Sequence, residues 1–458
     1  MLTTAVVFLV SLVASASAKT WFVAQDGSGD FVTIQAAVDA AAAGDVIVVR
    51  AGTYVESVEV KGKTLTIVGS GIGNTVVASD GQYDYCPIFV SELAAGVVAI
   101  GHMTLRGYTC LGFGSVDGAG VASDVELRCA PIGDPLPGIP PSAGGGMRVA
   151  ITRAQVVDEF PPDGFTVGRP HGAVLLKGGF ITISQGSFTG LKGGDGDDAQ
   201  EPEQGGAGMY IDNTTVYLAD VSAQGGLGAP AWVGGIYCDQ KWPAQPGGPG
   251  LEIVNGGVVI GATHDSVMQF AGGKGGYGGP LSDCGGPTFA GGDGGDGIDA
   301  LGGQATLHGP FQLVPGSGGD GNPPGKAGLP SKGSVDPSGE LFPTLAIYGT
   351  GAIGDLLTLQ VTGNPGERVL LIAADRFDRM SVAGLDGFPL FAVPGGTFFF
   401  VVPIGTISGA GTLAVNLPIL DNPMLIGQLA LFQAIAIPQD VFLKPKLSNV
   451  VAEVLRDH

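Results

Sequence analysis

The residues from Trp21 to Gly69 constrain the fold more than any other part of this chain. A short apolar strand and a turn rich in Gly and Asp lead into residues 33–41, whose apolar positions recur at helical spacing. Three strand-like runs follow at residues 46–49, 55–60 and 65–68. The spacers between them are too short for helical crossovers, so the pattern predicts a coil of parallel strands in which each rung stacks on the last.

This stretch resembles the opening of right-handed parallel β-helix proteins of the pectinesterase and pectate-lyase-like superfamily. The matching motifs are DGSGDF at 26–31, TIQAAV at 33–38, GD at 44–45, GTYVE at 52–56 and LTIVG at 65–69. The resemblance implies an all-β fold, a right-handed parallel β-helix whose first coil is capped by a helix near residues 33–42. Within the match, Gly52 is interpreted as a corner glycine, Tyr54 as a packed aromatic and Glu56 as a solvent-facing carboxylate.

An internal repeat begins after His171. Four blocks share a Gly-rich lead and a short apolar strand, and the strands expected to be equivalent begin at Ala173, Met209, Leu251 and Ile298. Glycine-rich excursions separate the blocks, at 193–206, 225–250, 272–297 and 316–333. Their regular recurrence predicts that they leave the helix at one corner and stack beside one another, although Gly/Pro-rich segments of this kind can equally be disordered.

Composition limits the classes of partner. The 82 glycines among 458 residues follow no strict three-residue period, which excludes collagen, and a hydrophobic fraction of 44% excludes a disordered chain. A net charge of −21 argues against nucleic acid. No apolar run after the N-terminus reaches the length of a membrane span. The expected partner is a polysaccharide or a cell-surface glycan.

Three regions are predicted along the chain. Residues 1–18 read as a secretory signal peptide, with an apolar core at 5–13 and a small-residue cleavage site at 16–18, so the protein is expected to be secreted, extracellular or on the cell surface. Residues 19–338 are predicted to form the β-helix with its Gly-rich loop excursions. From residue 339 to 458 glycine thins and strands recur at regular spacing, which predicts a smaller β-sandwich domain. This last part resembles a C-terminal module of secreted planctomycete-type bacterial proteins.

The five cysteines suit an oxidising compartment without forming a dense disulfide framework. Cys238 and Cys284 lie in Gly/Pro-rich loops one repeat apart, and Cys110 and Cys129 lie on coils expected to be adjacent. These two pairs are the predicted disulfides, although sequence alone cannot fix the connectivity.

Catalytic candidates are few. The resemblance implies that an esterase would use two aspartates, an arginine and oxyanion-stabilising glutamines, but the Gln-Asp-Thr-Leu and Asp-Phe-Ile-Phe-Gly signatures of pectinesterases are missing. Arg169 lies in a fragment of the arginine motif, and Asp197 and Asp198 form a carboxylate pair that could act as general acid and base. A loop arginine and a solvated turn are the alternative interpretations of these residues.

A calcium motif is the remaining chemical signal. Residues 291–299 fit the nonapeptide G-G-x-G-x-D-x-U-x, with Asp293, Asp296 and Asp299 as oxygen ligands. The motif normally occurs in tandem, and a chain this rich in Gly and Asp produces chance matches. Calcium is therefore the one metal that the sequence suggests, and no other cofactor is expected.

Three functions remain open. The main expectation is a non-catalytic secreted or surface protein with a structural, adhesive or glycan-contacting role, because every catalytic signature is absent at once. The first alternative is a polysaccharide lyase, esterase or hydrolase on acidic glycans with a diverged site, and the second is a calcium-dependent surface or adhesion protein. A sheet face that clusters carboxylates with Arg or Lys would favour the enzyme.

Overall fold

A computed structural model describes the fold of most of the chain. The described residues are 18–79, 86–107, 111–113, 118–129, 148–158, 174–177, 179–190, 192–193, 202–234, 240–263, 266–279 and 289–458.

The first part of the chain consists of one short helix and many short strands. In chain order these are β1 (Thr20–Val23), α1 (Ile34–Ala40), β2 (Val46–Val49), β3 (Gly52–Val55), β4 (Val58–Lys61), β5 (Leu65–Gly69), β6 (Thr75–Ala78), β7 (Ile88–Ser91), β8 (Val97–Gly107), β9 (Leu111–Phe113), β10 (Ala119–Cys129), β11 (Arg148–Asp158), β12 (Val174–Lys177), β13 (Phe180–Thr189), β14 (Met209–Asp212), β15 (Thr215–Gln224), β16 (Trp232–Gly234), β17 (Gln240–Trp242), β18 (Leu251–Val254), β19 (Val258–Ala262), β20 (Met268–Ala271), β21 (Ile298–His308), β22 (Phe311–Val314) and β23 (Ser331–Ser338).

Apart from the β16–β17 hairpin, these strands pair in parallel and form the three sheets of a right-handed β-helix. Sheet A begins with β1, β2 and β5 and ends with β19, β21 and β23. Between them lie the first halves of the long strands β8, β10, β11, β13 and β15. Sheet B contains β3, β6, the second halves of the long strands, β20 and β22. In sheet C, β12, β14, β18 and β21 pair in register from Val174 through Met209 and Leu251 to Ile298, as the repeat predicts.

The long strands turn from sheet A to sheet B at residues with positive φ. These are His102, Asp124, Arg153, Gln185 and Asp220, with φ between 53° and 57°. The pairing on either side aligns them on successive coils, so they form a column along one corner, called the corner column below. A left-handed conformation at a non-Gly residue is uncommon, and here it lets one strand bend without a loop.

Helix α1 closes the open end of the first coil. Ile34, Ala37 and Val38 are buried against the core. Its N-terminus is capped from a distance, because Glu56 Oε1 and Oε2 accept hydrogen bonds from the backbone N–H of Ile34 at 2.8 Å and of Gln35 at 2.9 Å. Glu56 is therefore a helix cap, and the interpretation as a solvent-facing carboxylate is wrong. Tyr54 is buried, as expected, with its hydroxyl donating to Arg50 O at 3.1 Å.

The glycine-rich excursions leave the β-helix where sheet B ends and return where sheet C begins. Four outgoing segments (190 with 192–193, 225–231, 272–278 and 315–321) lie side by side in one layer. Four returning segments (202–208, 245–250, 291–297 and 322–330) lie in a second layer. We call the two layers the glycine bundle. The described parts of the loops are thus ordered and stacked, the first of the two alternatives predicted.

Hydrogen bonds in the glycine bundle recur every third residue. Gly272, Gly275 and Gly278 donate to Val314, Ser317 and Asp320 of the next outgoing segment, at 2.8, 2.9 and 2.7 Å. Gly273 and Gly276 donate to the other layer, to Gly248 O and Gln245 O. Each segment has three residues per turn and forms backbone hydrogen bonds only to neighbouring segments. This is the arrangement of packed polyproline II helices. The glycine content of this chain is therefore a packing requirement.

The side chains allowed in the bundle follow from that packing. A Cβ on Gly275 would lie 1.8 Å from Gly292 O, and one on Gly276 would lie 1.8 Å from Ala229 O. In the outgoing layer the third residue of a Gly-Gly-x unit projects outward, and Leu227 and Tyr277 are about half exposed.

The C-terminal part is built differently. Its elements are β24 (Thr344–Tyr348), β25 (Leu356–Thr362), β26 (Arg368–Ala374), β27 (Phe377–Met380), β28 (Asp386–Gly387), β29 (Leu390–Ala392), β30 (Phe399–Thr406), β31 (Thr412–Pro418), a 3₁₀ helix (Pro423–Leu425), β32 (Leu429–Ile437) and β33 (Lys446–Val454). The parallel coils end at Ser338, and from Thr344 the pairing is antiparallel apart from the short parallel pair of β28 with β33 and one parallel bridge between Ala352 and Arg456. The sheets β24-β25-β31 and β28-β33-β32-β26-β30 form the predicted β-sandwich.

The β-sandwich packs on the β-helix through a shared core. One hydrophobic cluster fills the β-helix interior, and a second joins the outer face of sheet A to the sandwich. Strand β33 crosses the coils beside the corner column: Ser184 Oγ donates to Val450 O at 2.8 Å, while the N–H groups of Ala452 and Val454 donate to Thr152 Oγ1 and Ser123 Oγ at 2.9 and 3.2 Å. Three successive coils therefore each provide one hydroxyl to the same strand.

The predicted fold is confirmed: a right-handed parallel β-helix with Gly-rich excursions, a capping helix and a smaller β-sandwich. Among the described residues, no helix is both long and apolar enough to cross a membrane.

Substitution Gly292→Ala is expected to destabilise the glycine bundle, because the new Cβ would lie 1.9 Å from Gln245 O. Overpacking of this kind costs about 1–3 kcal/mol. The measurement is hydrogen exchange of the bundle amides together with the denaturation midpoint. Gly339→Ala is the matched control, because nothing lies within 4 Å of a Cβ there. Unchanged protection in Gly292→Ala would contradict the packing argument.

Candidate functional site

The outer face of sheet B carries a strip of polar side chains near its middle. Val125 and Leu127 of β10 point into the core, which leaves Glu126 and Arg128 on the outside. Thr104 pairs with Glu126, and Arg106 pairs with Arg128, on the neighbouring coil. One carboxylate, one hydroxyl and two arginines therefore share one patch of the face, and these four residues are called the Glu126 site.

Hydrogen bonds fix the carboxylate of Glu126 in this site. Oε2 accepts from the Thr104 hydroxyl at 3.0 Å, and Thr104 in turn accepts from the N–H of Gly73 at 3.0 Å. Oε1 lies 3.1 Å from Arg128 Nη2. The side chain of Glu126 is 11% exposed and that of Arg128 is 38% exposed. A positioned carboxylate held by an arginine can act as a nucleophile or as a general base.

The strip continues along the later coils. Gln155 of β11 pairs with Glu126, and its side chain lies outside the described residues. Beyond it the same row holds Ser187, Ser222, Gln269 and Gln312. Ser187, Gln269 and Gln312 are exposed. The face thus offers a ladder of uncharged hydrogen-bonding groups, spaced by about 4.8 Å per strand.

A second charged cluster lies where the corner column meets β33. His102 Nδ1 lies 2.9 Å from Asp124 Oδ2, and His102 Nε2 lies 2.7 Å from Val454 O and 2.9 Å from Glu453 Oε1. Arg153 contacts Glu453 Oε2 at 2.5 Å and Asp124 Oδ1 at 3.6 Å. The side chains of His102 and Glu453 are fully buried, and the cluster joins the two domains.

Electrostatics in this cluster favour a charged histidine. Burial alone would lower the pKa of His102, but its hydrogen bonds to Asp124 and Glu453 and their charges outweigh burial and raise the pKa from 6.5 to about 9. Burial would likewise raise the pKa of Asp124, and the bond from His102 and the charge of Arg153 lower it instead. Both partners are therefore ionised near neutral pH.

Most sequence-predicted candidates fall outside the described residues. These are Arg169, Asp197 and Asp198, and the cysteines Cys110, Cys238 and Cys284. Cys129 ends β10, and its side chain is not described. The proposed catalytic pair and both proposed disulfides stay predictions.

The calcium candidates lie in the glycine bundle and at the start of β21. Asp293 Oδ1 accepts from the N–H of Lys326 at 2.8 Å, and Asp296 Oδ1 accepts from the N–H of Leu329 at 2.7 Å. Lys332 Nζ lies 3.2 Å from Asp296 and 3.7 Å from Asp299. Across the part of the chain that the structure describes, no three His, Cys, Asp or Glu side chains are grouped to hold a metal. Calcium binding stays a prediction.

Sequence reasoning did not single out the Glu126 site. The alternation in Val125-Glu126-Leu127-Arg128 was the available signal, because it places two charged residues on the face opposite the core. That signal could not align Glu126 with Thr104 or Arg128 with Arg106, which only the register between coils decides.

Part of the chain is similar in sequence to pectinesterases. Residues 20–107 match the family model described as Pectinesterase. Pectinesterase 2 of Citrus sinensis is 56% identical over 59 residues, which are 12% of this chain and 12% of that protein. Probable pectinesterase/pectinesterase inhibitor 17 of Arabidopsis thaliana is 46% identical over 113 residues, 23% of this chain and 20% of that protein. The chain thus spans at most about a fifth of the length of these relatives.

Two solved structures are similar to the chain. Pectin methylesterase from carrot has a TM-score of 0.26 at 16% identity, over 46% of this chain and 75% of that one. Geobacillus virus E2 ORF18 has a TM-score of 0.28 at 11% identity, over 92% and 72%. These TM-scores are low, and the assignment of the fold rests on the strand pairing.

The expectation of a non-catalytic surface protein is wrong as the main interpretation. The matched family model and the relatives named pectinesterases favour the carbohydrate-esterase alternative. The matched segment includes Thr104 and Arg106 of the Glu126 site, and β10 follows it on the next coil.

Thermal stability is expected to decrease as the pH rises from 6.5 through about 9. The pKa of His102 is higher in the folded protein, so its stabilisation is complete below 6.5 and is lost as the pH passes about 9. The lowered pKa of Asp124 acts in the opposite sense, and its stabilisation is lost only in acid. The melting temperature measured across this range should fall in the wild type.

The variant His102→Gln should lose most of that dependence, because Arg153, Asp124, Glu453 and Arg456 then face an uncharged amide. Breaking a buried pair should cost about 3–5 kcal/mol at neutral pH. His458→Gln is the control, since His458 is exposed. If the melting temperature of His102→Gln fell with pH as steeply as that of the wild type, the loss of stability at alkaline pH would belong to another group.

Proposed function

We propose that the protein is a carbohydrate esterase that acts on an acidic, pectin-like polysaccharide at the Glu126 site. One observation carries the proposal: a carboxylate held by Thr104 and Arg128, with Arg106 beside it, lies on an outer sheet face next to the segment that matches the pectinesterase family model. Sequence reasoning required such a face, with a carboxylate and arginines together, for an enzyme of this class.

Glu126 is the proposed reacting carboxylate. In the general-base route the carboxylate takes a proton from a water whose oxygen attacks the ester carbonyl, and the same proton passes to the departing oxygen as the C–O bond breaks, which releases the alcohol and the carboxylic acid. In the nucleophilic route one carboxylate oxygen attacks the carbonyl, the alcohol leaves with a proton from water, and a second water hydrolyses the acyl-enzyme anhydride to the acid and restores Glu126. Thr104 and Arg128 hold the carboxylate in one orientation, which lowers the cost of reaching the reactive geometry. The resemblance to pectinesterases implies a glutamine donor for the developing oxyanion, and Gln155 occupies the paired position on the next coil.

Substrate recognition is proposed to use charge and a hydrogen-bonding row. Guanidinium groups bind carboxylates in two-point geometry, so Arg106 and Arg128 favour a polymer that carries uronate groups. The row from Ser187 to Gln312 supplies hydrogen bonds to sugar hydroxyls on successive coils. This local arrangement compensates for a net charge of −21, which by itself repels an acidic polymer.

Export of the protein and the type of its C-terminal module are also proposed. Residues 1–18 serve as the signal peptide, and residues 339–458 form a module like those of secreted planctomycete-type bacterial proteins. The signal pattern and an extracellular polysaccharide substrate support export. N-terminal sequencing of exported protein that began near Lys19 would agree with this, and an intact N-terminus would not.

The test of the esterase is methanol release from highly methyl-esterified pectin. Glu126→Gln keeps the size of the side chain and one acceptor oxygen but removes the charge, so kcat/KM should fall by about 100-fold or more. Arg128→Leu should also reduce activity, because Glu126 loses its guanidinium partner.

Glu92→Gln is the matched control, since Glu92 forms a comparable ion pair with Lys61 at 2.9 Å on the exposed surface. A folded wild-type protein without methanol release would overturn the esterase proposal. Activity that survives in Glu126→Gln would move the reacting group elsewhere.

A further inference from the structure

The glycine bundle ends at the excursion 315–330, and its last edge is built unlike the interior. In the interior, residues at every third position donate their N–H to the next excursion of the same layer. These donors are Gly225, Gly228, Ala231, Gly247, Gly250, Gly272, Gly275, Gly278, Gly291, Gly294 and Gly297. Except at Ala231 and Gly291, the residue directly before each donor is the acceptor of a hydrogen bond from the preceding excursion.

The same positions can be identified in the last excursion. Its acceptors are Val314, Ser317 and Asp320 in the outgoing layer, and Pro323, Lys326 and Leu329 in the returning layer. The corresponding donor positions are therefore Pro315, Gly318, Gly321, Pro324, Ala327 and Pro330. No excursion follows to receive their bonds, and most of this edge is exposed, including Pro324, Ala327 and Pro330.

Proline occupies three of these six donor positions and none of the interior donor positions named above. Proline has no backbone N–H and cannot donate. The prolines of the interior, such as Pro246 and Pro249, lie instead at acceptor positions, where their carbonyls receive bonds from Gly205 and Gly208. The placement of proline therefore follows the direction of the hydrogen bonds in the bundle.

An exposed edge of unpaired backbone donors is a template for a further chain, as in β-sheets, where proline on the edge prevents pairing. The donor positions along this edge recur every third residue, which is the repeat of a polyproline II helix. A second copy of this protein contains such helices in its own glycine bundle.

We infer that Pro315, Pro324 and Pro330 terminate the glycine bundle and keep its edge from adding a polyproline II segment of a second copy. In the returning layer the edge positions 324, 327 and 330 are exposed and carry side chains, whereas a Cβ at the interior donor Gly294 would meet Gly316 O at 2.0 Å. Space alone would admit any residue, and only removal of the N–H requires proline.

The test compares the oligomeric state of the full chain by light scattering after size-exclusion chromatography. The triple variant Pro315→Gly/Pro324→Gly/Pro330→Gly restores three donors and should shift to a mass that roughly doubles or rises with concentration. Pro324→Ala/Pro330→Ala restores two donors without the flexibility of glycine and should shift in the same direction. The control Pro246→Gly/Pro249→Gly changes acceptor positions and should behave as the wild type does.

Hydrogen exchange of Gly292 and Gly295, which donate to the outgoing layer, shows whether the bundle is intact in each variant. A monomeric triple variant with protected bundle amides would overturn the inference. A wild-type protein that already associates through residues 322–330, detected by cross-linking at Lys326, would also overturn it. If the triple variant lost its bundle, the alanine variant would decide.

Discussion

Backbone hydrogen bonding between successive coils is the constraint on which this structure depends. Each short strand of the β-helix forms its hydrogen bonds with strands one coil away. Each excursion of the glycine bundle likewise bonds to the next excursion, but its donors recur every third residue, whereas those of a strand recur every second residue. Buried N–H and C=O groups must be paired, so a rung is stable only when the next rung is in register. Both parts of the chain therefore grow by stacking, and both need a defined first and last rung.

The two ends are closed by different means. At the first coil, α1 covers the core, and Glu56 from the second coil satisfies its N-terminal N–H groups. This explains the GTYVE motif that the chain shares with pectinesterases in structural terms: Tyr54 packs in the core, Glu56 caps the helix, and neither is available for chemistry. The likeness that identifies the fold is therefore separate from the Glu126 site proposed for catalysis.

The corner column links stacking to the β-sandwich. Its positive-φ residues turn the chain, and their neighbours Ser123, Thr152 and Ser184 present hydroxyls to β33. His102, Asp124, Arg153 and Glu453 then form a compensated buried ion network, which is costly unless every charge is paired. The outer face of sheet A is closed by this interface, whereas the outer face of sheet B keeps exposed polar groups on which a long polymer could lie.

The sequence by itself determined the β-helix, its capping helix and the change of architecture after residue 338, because these follow from local periodicity and turn residues. It also located the equivalent strands, with predicted starts at Ala173, Met209, Leu251 and Ile298, since a repeat preserves spacing; the first strand begins one residue later, at Val174. Only the tertiary structure decided that Thr104, Arg106, Glu126 and Arg128 meet, because register across coils is set by pairing between segments about 20 residues apart. The helix cap at Glu56 and the ion network joining residue 102 to residue 453 were decided in the same way. Such contacts depend on which chains stack, and no local pattern in the sequence records them.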